Sequence, residues 1–444
     1  MLKIFLKKKR ALLSLIFLPQ LINAQGIIQA GPMKGYVEMR EAAIWVQLSE
    51  PGIVELVYWP DTAVESEFRS LPQPAVPENG NTVELIATEV EPGTTYGYAI
   101  YANGSNQTMD RELRFSTQPL WQHRTNPPEI KIAFGSCSYI NEEPYDRPGK
   151  SYGSNYKIFE EIASDNPDIM LWLGDNIYLR EVDYFSRSGI IKRYTHTRSL
   201  PEVQRLLATA NHYAIWDDHD YGPNDATRTF PMKDETLEAF KLFWPNKKYG
   251  VNQLGGITSS FTHGDIDFYL LDNRWNRSEA NMITIKEQML GKNQIDWLIE
   301  SLKYSKAPFK FVAVGSQILN SAAVYENYAN YEEERGTLLS RIAQEGITGV
   351  VFLTGDRHHA EMSVVEINGI KIYDITVSPL TSGTHKRGSE KNNNRIVGSL
   401  INEHNYGLIT VTGERKERKL NLMIKSNTGE ELWNYQISEV ELSE

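Results

Sequence analysis

The sequence contains almost no cysteine, no long hydrophobic run in its interior and no excess of positive charge. Cys137 is the only cysteine among 444 residues, so an intramolecular disulfide is impossible. Beyond the first 24 residues, no apolar run is long enough to form a membrane-spanning helix. The 46 Lys and Arg are outnumbered by 57 Asp and Glu, which argues against a stable nucleic-acid partner because such binding needs a basic face. The remaining class is an acidic, folded protein of ordinary hydrophobicity.

The first 24 residues have the layout of a secretory signal peptide. Lys3 and the basic residues 7–10 precede an apolar run at 11–18, Pro19 ends that run, and Ala24 offers a small residue for cleavage. The apolar run is too short to span a bilayer. A buried amino-terminal helix is the alternative interpretation. We expect export to the periplasm or secretion, which lowers the net charge of the mature chain from −11 to −16.

Residues 25–120 are predicted to form a small domain rich in β-strands. Short runs of alternating apolar and polar residues are separated by turn sequences such as Pro51-Gly52 and Pro92-Gly93. This spacing is typical of a β-sandwich similar to a fibronectin type III domain, and nothing in the segment predicts a chemical site. The strands are expected at residues 43–48, 53–58, 82–87, 96–101 and 112–116, before a polar linker at 118–128.

From residue 128 to residue 444, apolar strands alternate with helical sequence, which predicts an α/β domain with buried sheets. Polar residues directly follow each of six strands. The carboxyl ends of parallel strands share one edge of a sheet, where ligands bind, so this pattern is typical of an enzyme. The strands and the motifs that follow them are 130–134 with Gly135-Ser136-Cys137, 169–173 with Gly174-Asp175-Asn176, 212–216 with Asp217-Asp218-His219-Asp220, 268–271 with Asp272-Asn273-Arg274, 311–314 with Gly315-Ser316-Gln317, and 349–353 with Thr354-Gly355-Asp356-Arg357-His358-His359.

These motifs collect several carboxylates at one place, together with thiol, phenol and imidazole groups. Carboxylates at one sheet edge repel each other unless cations neutralise them, so we expect a metal site with two ions that share a carboxylate. Oxygen donors suit a hard cation, whereas thiolate, phenolate and imidazole suit a transition metal. Taken alone, Asp175 could instead cap a helix, and His358 could be an ordinary buried histidine. The candidate donors are Cys137, Asp175, Tyr178, Asp217, Asp218, His219, Asp220, Asn224, Asp356, His358 and His359.

Four motifs occur in the order Phe134-Gly135-Ser136-Cys137, Gly174-Asp175-Asn176-Ile177-Tyr178, Trp216-Asp217-Asp218-His219-Asp220 and Gly355-Asp356-Arg357-His358. As an ordered set they resemble the signature of the PhoD-like alkaline phosphatases, a branch of the calcineurin-like metallophosphoesterases. Two further segments, 271–277 and 289–298, resemble that family as well. The resemblance extends from about residue 27 to residue 380 or beyond.

This resemblance implies a four-layer αββα core at residues 128–444, preceded by the sandwich, and a centre of Fe³⁺ and Ca²⁺. A thiolate and a phenolate both stabilise a trivalent ion, and metal binding would protect the thiolate of an exported protein from oxidation. The implied ligands of the iron are Cys137, Asp175, Tyr178 and His358. The implied ligands of the calcium are the bridging Asp175, Asp356, and Asp218 or Asn224.

The resemblance also implies an exported phosphoesterase that hydrolyses phosphate monoesters, diesters or both with a metal-activated water. His219 is expected to stabilise the transition state or to protonate the leaving group. Arg274 is expected to clamp phosphate oxygens, with a structural ion pair as its alternative role. The basic segment 7–10 lacks the twin arginines found in many relatives, so Sec-type export is expected. Small molecules, phospholipids and polymers remain open as substrates, and the loops at 222–230 and 380–397 are expected to decide among them.

Two other functions are compatible with parts of the sequence. A secreted glycoside hydrolase also combines paired carboxylates with an accessory β-sandwich, but it leaves Cys137 and Tyr178 without a role. A non-enzymatic calcium-binding protein would use the acidic edge without turnover. Sensitivity to a chelator separates a metal-dependent phosphoesterase from the glycoside hydrolase, and turnover separates it from the calcium-binding protein.

Overall fold

The structure, a computed structural model, describes residues 27–385 and 390–442. The predicted signal peptide at residues 1–24 lies outside these residues. Within the described part of the chain, no helix is both long enough and apolar enough to cross a membrane.

The amino-terminal part consists of the strands β1 (Ile28–Val37), β2 (Ala42–Leu48), β3 (Gly52–Pro60), β4 (Phe68–Arg69), β5 (Gln73–Ala75), β6 (Thr82–Ala87), β7 (Thr95–Ala102), β8 (Ser105–Asn106) and β9 (Arg114–Ser116). One antiparallel sheet has the order β1-β2-β6, and the other has the order β4-β3-β7-β8 with β5 and β9 paired at its sides. Ile44, Leu56 and Tyr98 are buried in the core of this part, as the alternating pattern predicts. Strands β2, β3, β6, β7 and β9 correspond to the predicted ones.

Strand β1 was not predicted, because Gly31, Pro32 and Gly35 interrupt its apolar pattern. It connects the amino-terminal part to the rest of the molecule. Met33 on this strand is fully buried in the large core that the second part of the chain forms. The backbone N–H of Gly31 donates to Gln204 at 2.9 Å, a residue that lies 173 positions further along the chain. The sandwich therefore shares its core with the domain that follows it.

The second part contains the strands β10 (Ile130–Gly135), β11 (Ile169–Leu173), β12 (Asn211–Ile215), β13 (Ser259–His263), β14 (Ile266–Leu270), β15 (Lys310–Val314), β16 (Val350–Thr354), β17 (Glu361–Ile367), β18 (Ile370–Thr376), β19 (Asn405–Thr412), β20 (Lys419–Ser426) and β21 (Glu431–Ser438). Its helices are α1 (Ile158–Ser164), α2 (Arg187–Arg198), α3 (Pro201–Thr209), α4 (Asp218–Tyr221), α5 (Lys233–Phe243), α6 (Lys292–Tyr304) and α7 (Glu332–Gln344). Short 3₁₀ helices occur at Pro77–Asn79, Tyr328–Tyr331 and Val440–Leu442.

Two sheets of the second part pack against each other between layers of helices. The first has the order β12-β11-β10-β19-β20-β21 and the second the order β13-β14-β15-β16-β18-β17. Phe311 of β15 packs in the core shared with the first sheet, whereas the next residue, Val312, packs with Leu298 of α6 and Leu338 of α7. Ile162 of α1 joins the core of the first sheet. This arrangement is the αββα architecture that the resemblance implied.

The six predicted strands with polar ends are divided equally between the two sheets. Strands β10, β11 and β12 run parallel to each other in the first sheet, and β14, β15 and β16 do so in the second. The polar motifs therefore meet where the carboxyl ends of two sheets come together, rather than along the edge of one sheet.

Candidate metal centre

The turns that follow β10, β11 and β16 hold four polar residues in a left-handed backbone conformation. The φ angle is 62° at Cys137, 51° at Asp175, 67° at Asp356 and 57° at His358. Residues with a β-carbon rarely adopt this region, and it costs about 1–3 kcal/mol each time it is imposed. Strained backbone of this kind is frequent at functional sites, and here four such residues occur in the turns that carry the candidate ligands.

One cluster of side chains combines a thiol, a carboxylate, a phenol and an imidazole. The Sγ of Cys137 lies 3.5 Å from Oδ2 of Asp175, and the hydroxyl of Tyr178 lies 3.2 Å from the same oxygen. Nε2 of His358 is 3.5 Å from the hydroxyl of Tyr178. The ligand atoms of Cys137, Asp175 and His358 all lie within 4.8 Å of one another, which is a spacing that one metal ion can bridge.

Neighbouring groups fix the orientation of two members of this cluster. Nδ1 of His358 is 2.5 Å from the carbonyl oxygen of Gly383, to which it can donate, and this leaves Nε2 directed at Tyr178. The hydroxyl of Ser378 donates to Sγ of Cys137 at 3.1 Å and accepts from the backbone N–H of His358 at 3.0 Å. Contacts of this kind set the tautomer and the position of metal ligands.

A second group of donors adjoins the first through Asp175. Carboxylate oxygens of Asp175 and Asp218 and a ring nitrogen of His219 lie within 4.8 Å of one another. Oδ2 of Asp356 is buried and has no hydrogen-bond partner within residues 27–385 and 390–442, so it lacks the pairing that a buried oxygen normally has. Asn224 is exposed in the wall of the same cavity.

The protonation of these groups depends strongly on the absence or presence of cations. Burial raises the pKa of the Cys137 thiol, the Tyr178 hydroxyl and the Asp175 and Asp356 carboxyls well above their ordinary values, and nearby carboxylates raise them further. Burial acts the same way on Asp218, but His219 and Arg274 outweigh it and lower the pKa of Asp218. A mixed donor set in which burial disfavours ionisation of Cys137, Tyr178, Asp175 and Asp356 fits a pair of metal ions, whose charge would favour the ionised forms.

Arg274 forms buried ion pairs, which was the alternative to its expected contact with phosphate. It is fully buried, its Nε donates to Asp217 at 2.6 Å, and its Nη1 donates to Glu326 at 2.8 Å. The remaining nitrogen also contacts both carboxylates. The guanidinium is therefore occupied by two carboxylates and does not line the cavity.

A buried polar network on the second sheet adjoins Arg357. Glu361 is fully shielded from solvent, and although burial acts to raise its pKa, His359 and Arg395 lower that pKa to about 2. Through these contacts Glu361 holds the described end of the loop at 380–397 against β17. The side chains that donate to Glu361 are those of Gln317 at 2.7 Å, Asn320 at 3.0 Å, Asn392 at 3.1 Å and Arg395.

Comparison with known proteins identifies the family. A model of the PhoD-like phosphatases matches residues 132–419. The chain belongs to the PhoD-like phosphatase family. Among solved structures, a structure of PhoD aligns with a TM-score of 0.74 and 16% identity over 93% of each chain. The purple acid phosphatase PPD1 from yellow lupin (Lupinus luteus) seeds aligns with a TM-score of 0.69 and 12% identity over 92% of this chain and 74% of that chain. No curated protein matches.

The two structural neighbours share the fold, and the family match decides the chemistry. This PhoD-like phosphatase is a metal-dependent hydrolase of phosphate esters, and the prediction of that enzyme class is confirmed. The glycoside hydrolase and the non-enzymatic calcium-binding protein are not supported. Of the ligands that the resemblance implied, five lie in the two clusters, namely Cys137, Asp175, Tyr178, Asp218 and His358, and Asp356 and Asn224 line the same cavity.

Sequence reasoning missed several residues that line the cavity. This cavity has a volume of about 520 Å³ and also contains Tyr152, Arg277, Tyr325, Glu326 and His385. Glu326 and His385 are in long loops several residues beyond the nearest strand end, so the rule that located the other residues could not find them. Arg277 is in the segment that also carries Arg274, three positions later, and only the packing of the folded chain distinguishes the two.

Proposed function

We propose that this PhoD-like phosphatase hydrolyses phosphate monoesters and diesters at a centre of one iron and one calcium ion that share Asp175. The observation that carries the proposal is the environment of the two oxygens of Asp175. Oδ2 is 3.2 Å from the hydroxyl of Tyr178 and 3.5 Å from Sγ of Cys137, and a carboxylate oxygen of Asp175 also lies within 4.8 Å of ligand atoms of Asp218 and His219. One carboxylate faces two groups of donors, as a bridging ligand must.

The donors on the Cys137 side support a trivalent ion. Cys137, Tyr178 and His358 would supply a thiolate, a phenolate and an imidazole beside Asp175, a combination that suits iron better than a hard divalent cation. Because burial raises the pKa of both the Cys137 thiol and the Tyr178 hydroxyl, these groups need a strong positive charge to ionise. Fe³⁺ supplies more of that charge than a divalent ion does.

The donors on the other side are oxygens. Asp175, Asp218, Asp356 and the amide oxygen of Asn224 would hold the calcium ion, which accepts several carboxylate and amide oxygens in a flexible geometry. The unpaired, buried Oδ2 of Asp356 supports this assignment because a cation would satisfy it.

When bound, the two ions would polarise the phosphoryl oxygens and make a water molecule more acidic. The residues of the chain would orient the substrate for attack in line with the leaving group. His219 lines the cavity next to Asp218, and its ring packs against the tilted ring of Tyr178 with a centroid distance of 4.2 Å, which holds the imidazole in place. We assign to this imidazole a hydrogen bond to the phosphoryl group or a proton transfer to the leaving oxygen.

We further propose that the protein is exported by the Sec route and acts in the periplasm or outside the cell. The basic and apolar segments within residues 1–24 support this proposal. Expression of the full chain, followed by cell fractionation and sequencing of the mature amino terminus, tests it. A protein retained in the cytoplasm with an intact amino terminus would contradict export.

The catalytic proposal is tested by measuring the release of p-nitrophenol from p-nitrophenyl phosphate and bis(p-nitrophenyl) phosphate, together with the metal content. Cys137→Ala and Tyr178→Phe are expected to lower kcat/KM by about 100-fold or more and to lower the iron content. Tyr98→Phe is the matched control, because its hydroxyl is buried without a partner in the described sandwich. Full activity in the Cys137 and Tyr178 variants would contradict the assignment.

A further inference from the structure

Two of the three arginines around the cavity are each held by several side chains of the protein. Arg274 is held by Asp217 and Glu326. Nη1 of Arg357 donates to Gln317 at 2.7 Å, and its Nη2 donates to Glu390 at 2.6 Å. Both side chains are fully buried, and these contacts hold their guanidinium groups in place.

Arg277 differs from these two arginines. It is only 4% exposed, it lines the cavity, and its Nη2 pairs with Oε1 of Glu326 at 3.0 Å. Its guanidinium carbon lies 5.1 Å from the centre of the Tyr331 ring, which fixes the plane of the group. Its Nη1 is buried and finds no hydrogen-bond acceptor in the described part of the chain. A buried donor without an acceptor is costly, and natural structures seldom keep one unless a ligand completes it.

The contacts of Arg277 place it on the Asp218 side of the centre. Glu326, its partner, has a carboxylate oxygen within 4.8 Å of oxygens of Asp217 and Asp218. Asp218 in turn belongs to the group with Asp175 and His219. The carboxylate of Glu326 therefore separates the guanidinium from the candidate calcium ligand Asp218. The guanidinium lies in the cavity wall that a bound phosphoryl group would face.

We propose that Arg277 binds a non-bridging oxygen of the substrate phosphate and favours monoesters over diesters. The proposal rests on the phosphoesterase site proposed above. A monoester dianion carries two charges over three non-bridging oxygens, whereas a diester carries one charge over two. A fixed guanidinium whose free nitrogen meets the phosphate therefore stabilises the dianion more than the monoanion, and its planar fork suits such oxygens.

The experiment compares Arg277→Gln and Arg277→Lys with the wild type in the metal-loaded full-length protein. We measure kcat and KM for p-nitrophenyl phosphate and for bis(p-nitrophenyl) phosphate, the inhibition constant of inorganic phosphate, and the unfolding midpoint. Arg277→Gln is expected to raise KM for the monoester and the inhibition constant of phosphate by about tenfold or more, and to affect the diester less. Arg277→Lys keeps the charge without the fork, so its constants should lie between those of the wild type and Arg277→Gln.

Arg418→Gln is the matched control. Arg418 is also buried and pairs with one carboxylate, Asp265, at 3.0 Å, but it lies away from this cavity. The Arg418→Gln substitution is expected to lower the unfolding midpoint without changing the inhibition constant of phosphate. If both Arg277 variants bind phosphate within about twofold of the wild type, the proposal is overturned, since a merely structural arginine would behave like Arg418. A metal-loaded wild type that hydrolyses neither ester would instead overturn the proposed function.

Discussion

Replacing Glu361 by glutamine should destabilise the protein more at neutral pH than at acidic pH. The carboxylate is fully buried, and His359 and Arg395 hold its pKa at about 2 against the effect of burial. In an unfolded chain the pKa of a glutamate is about 4.3. A folded-state pKa below the unfolded value contributes stability above the unfolded pKa, and that stability is lost as the pH falls towards the folded value.

The difference of about two units corresponds to ~3 kcal/mol at neutral pH. Removing one partner of a buried ion pair costs a similar amount, about 3–5 kcal/mol, because the other charge remains buried. We therefore expect Glu361→Gln to lower the free energy of unfolding by about 3 kcal/mol near pH 7. Near pH 3 the loss should be about half as large, because the unfolded wild-type chain then binds a proton that the folded carboxylate does not.

Urea unfolding followed by tryptophan fluorescence at several pH values measures this difference. Glu333→Gln is the control, because Glu333 pairs with Lys286 while both side chains are largely exposed, and such pairs contribute little. A loss of stability that is the same near pH 3 as near pH 7 would refute the assignment of an ionised, buried Glu361. So would a loss near pH 7 below about 1 kcal/mol.

Three further outcomes are expected. Ser378→Ala removes the hydroxyl that donates to Cys137 at 3.1 Å, so the metal concentration needed for half-maximal activity should rise by about 10–100-fold. An unchanged metal requirement would contradict the assignment of the Cys137 thiolate as a metal ligand. Removal of metal with a chelator should lower stability by about 4 kcal/mol for each ion kept at a thousand times its Kd, which calorimetry with and without the metals measures; an unchanged unfolding temperature would speak against a structural contribution of the centre. A chain that begins after β1 should be poorly soluble or inactive because Met33 and the residues it covers lose their packing, and a soluble, fully active truncation would disprove that dependence.

The sequence located the polar ends of the strands well because two simple constraints act there together. A strand buried on both faces reads as a continuous apolar run, as at Ile169–Leu173, and the sharp turn after it needs glycine or a tolerant polar residue. The strands β19, β20 and β21 join the first sheet in antiparallel pairs, and β1 is interrupted by Pro32, so their membership of the sheets depends on long-range pairing.

The parts of the site that could not be predicted depend on packing between distant segments. Arg274 and Arg277 lie three positions apart and carry the same guanidinium group. Only the placement of Glu326 and Asp217 decides which of the two guanidinium groups is held by two carboxylates. Glu326 itself reaches the cavity from the long segment between β15 and α7. No local pattern specifies where such a segment crosses the molecule.

The contact between Gly31 and Gln204 has a consequence for the order in which this chain can fold during synthesis. Strand β1 leaves the ribosome early, but it packs against the helix α3 and the strand β12, which are synthesised much later. Gln204 of α3, for example, follows Gly31 by 173 residues. At the usual rates of translation, the synthesis of 173 residues takes about 9–35 s. During this interval an apolar face of the first sheet of the sandwich is not yet covered by its partner elements. We therefore expect the nascent chain to bind a chaperone that recognises exposed apolar surfaces.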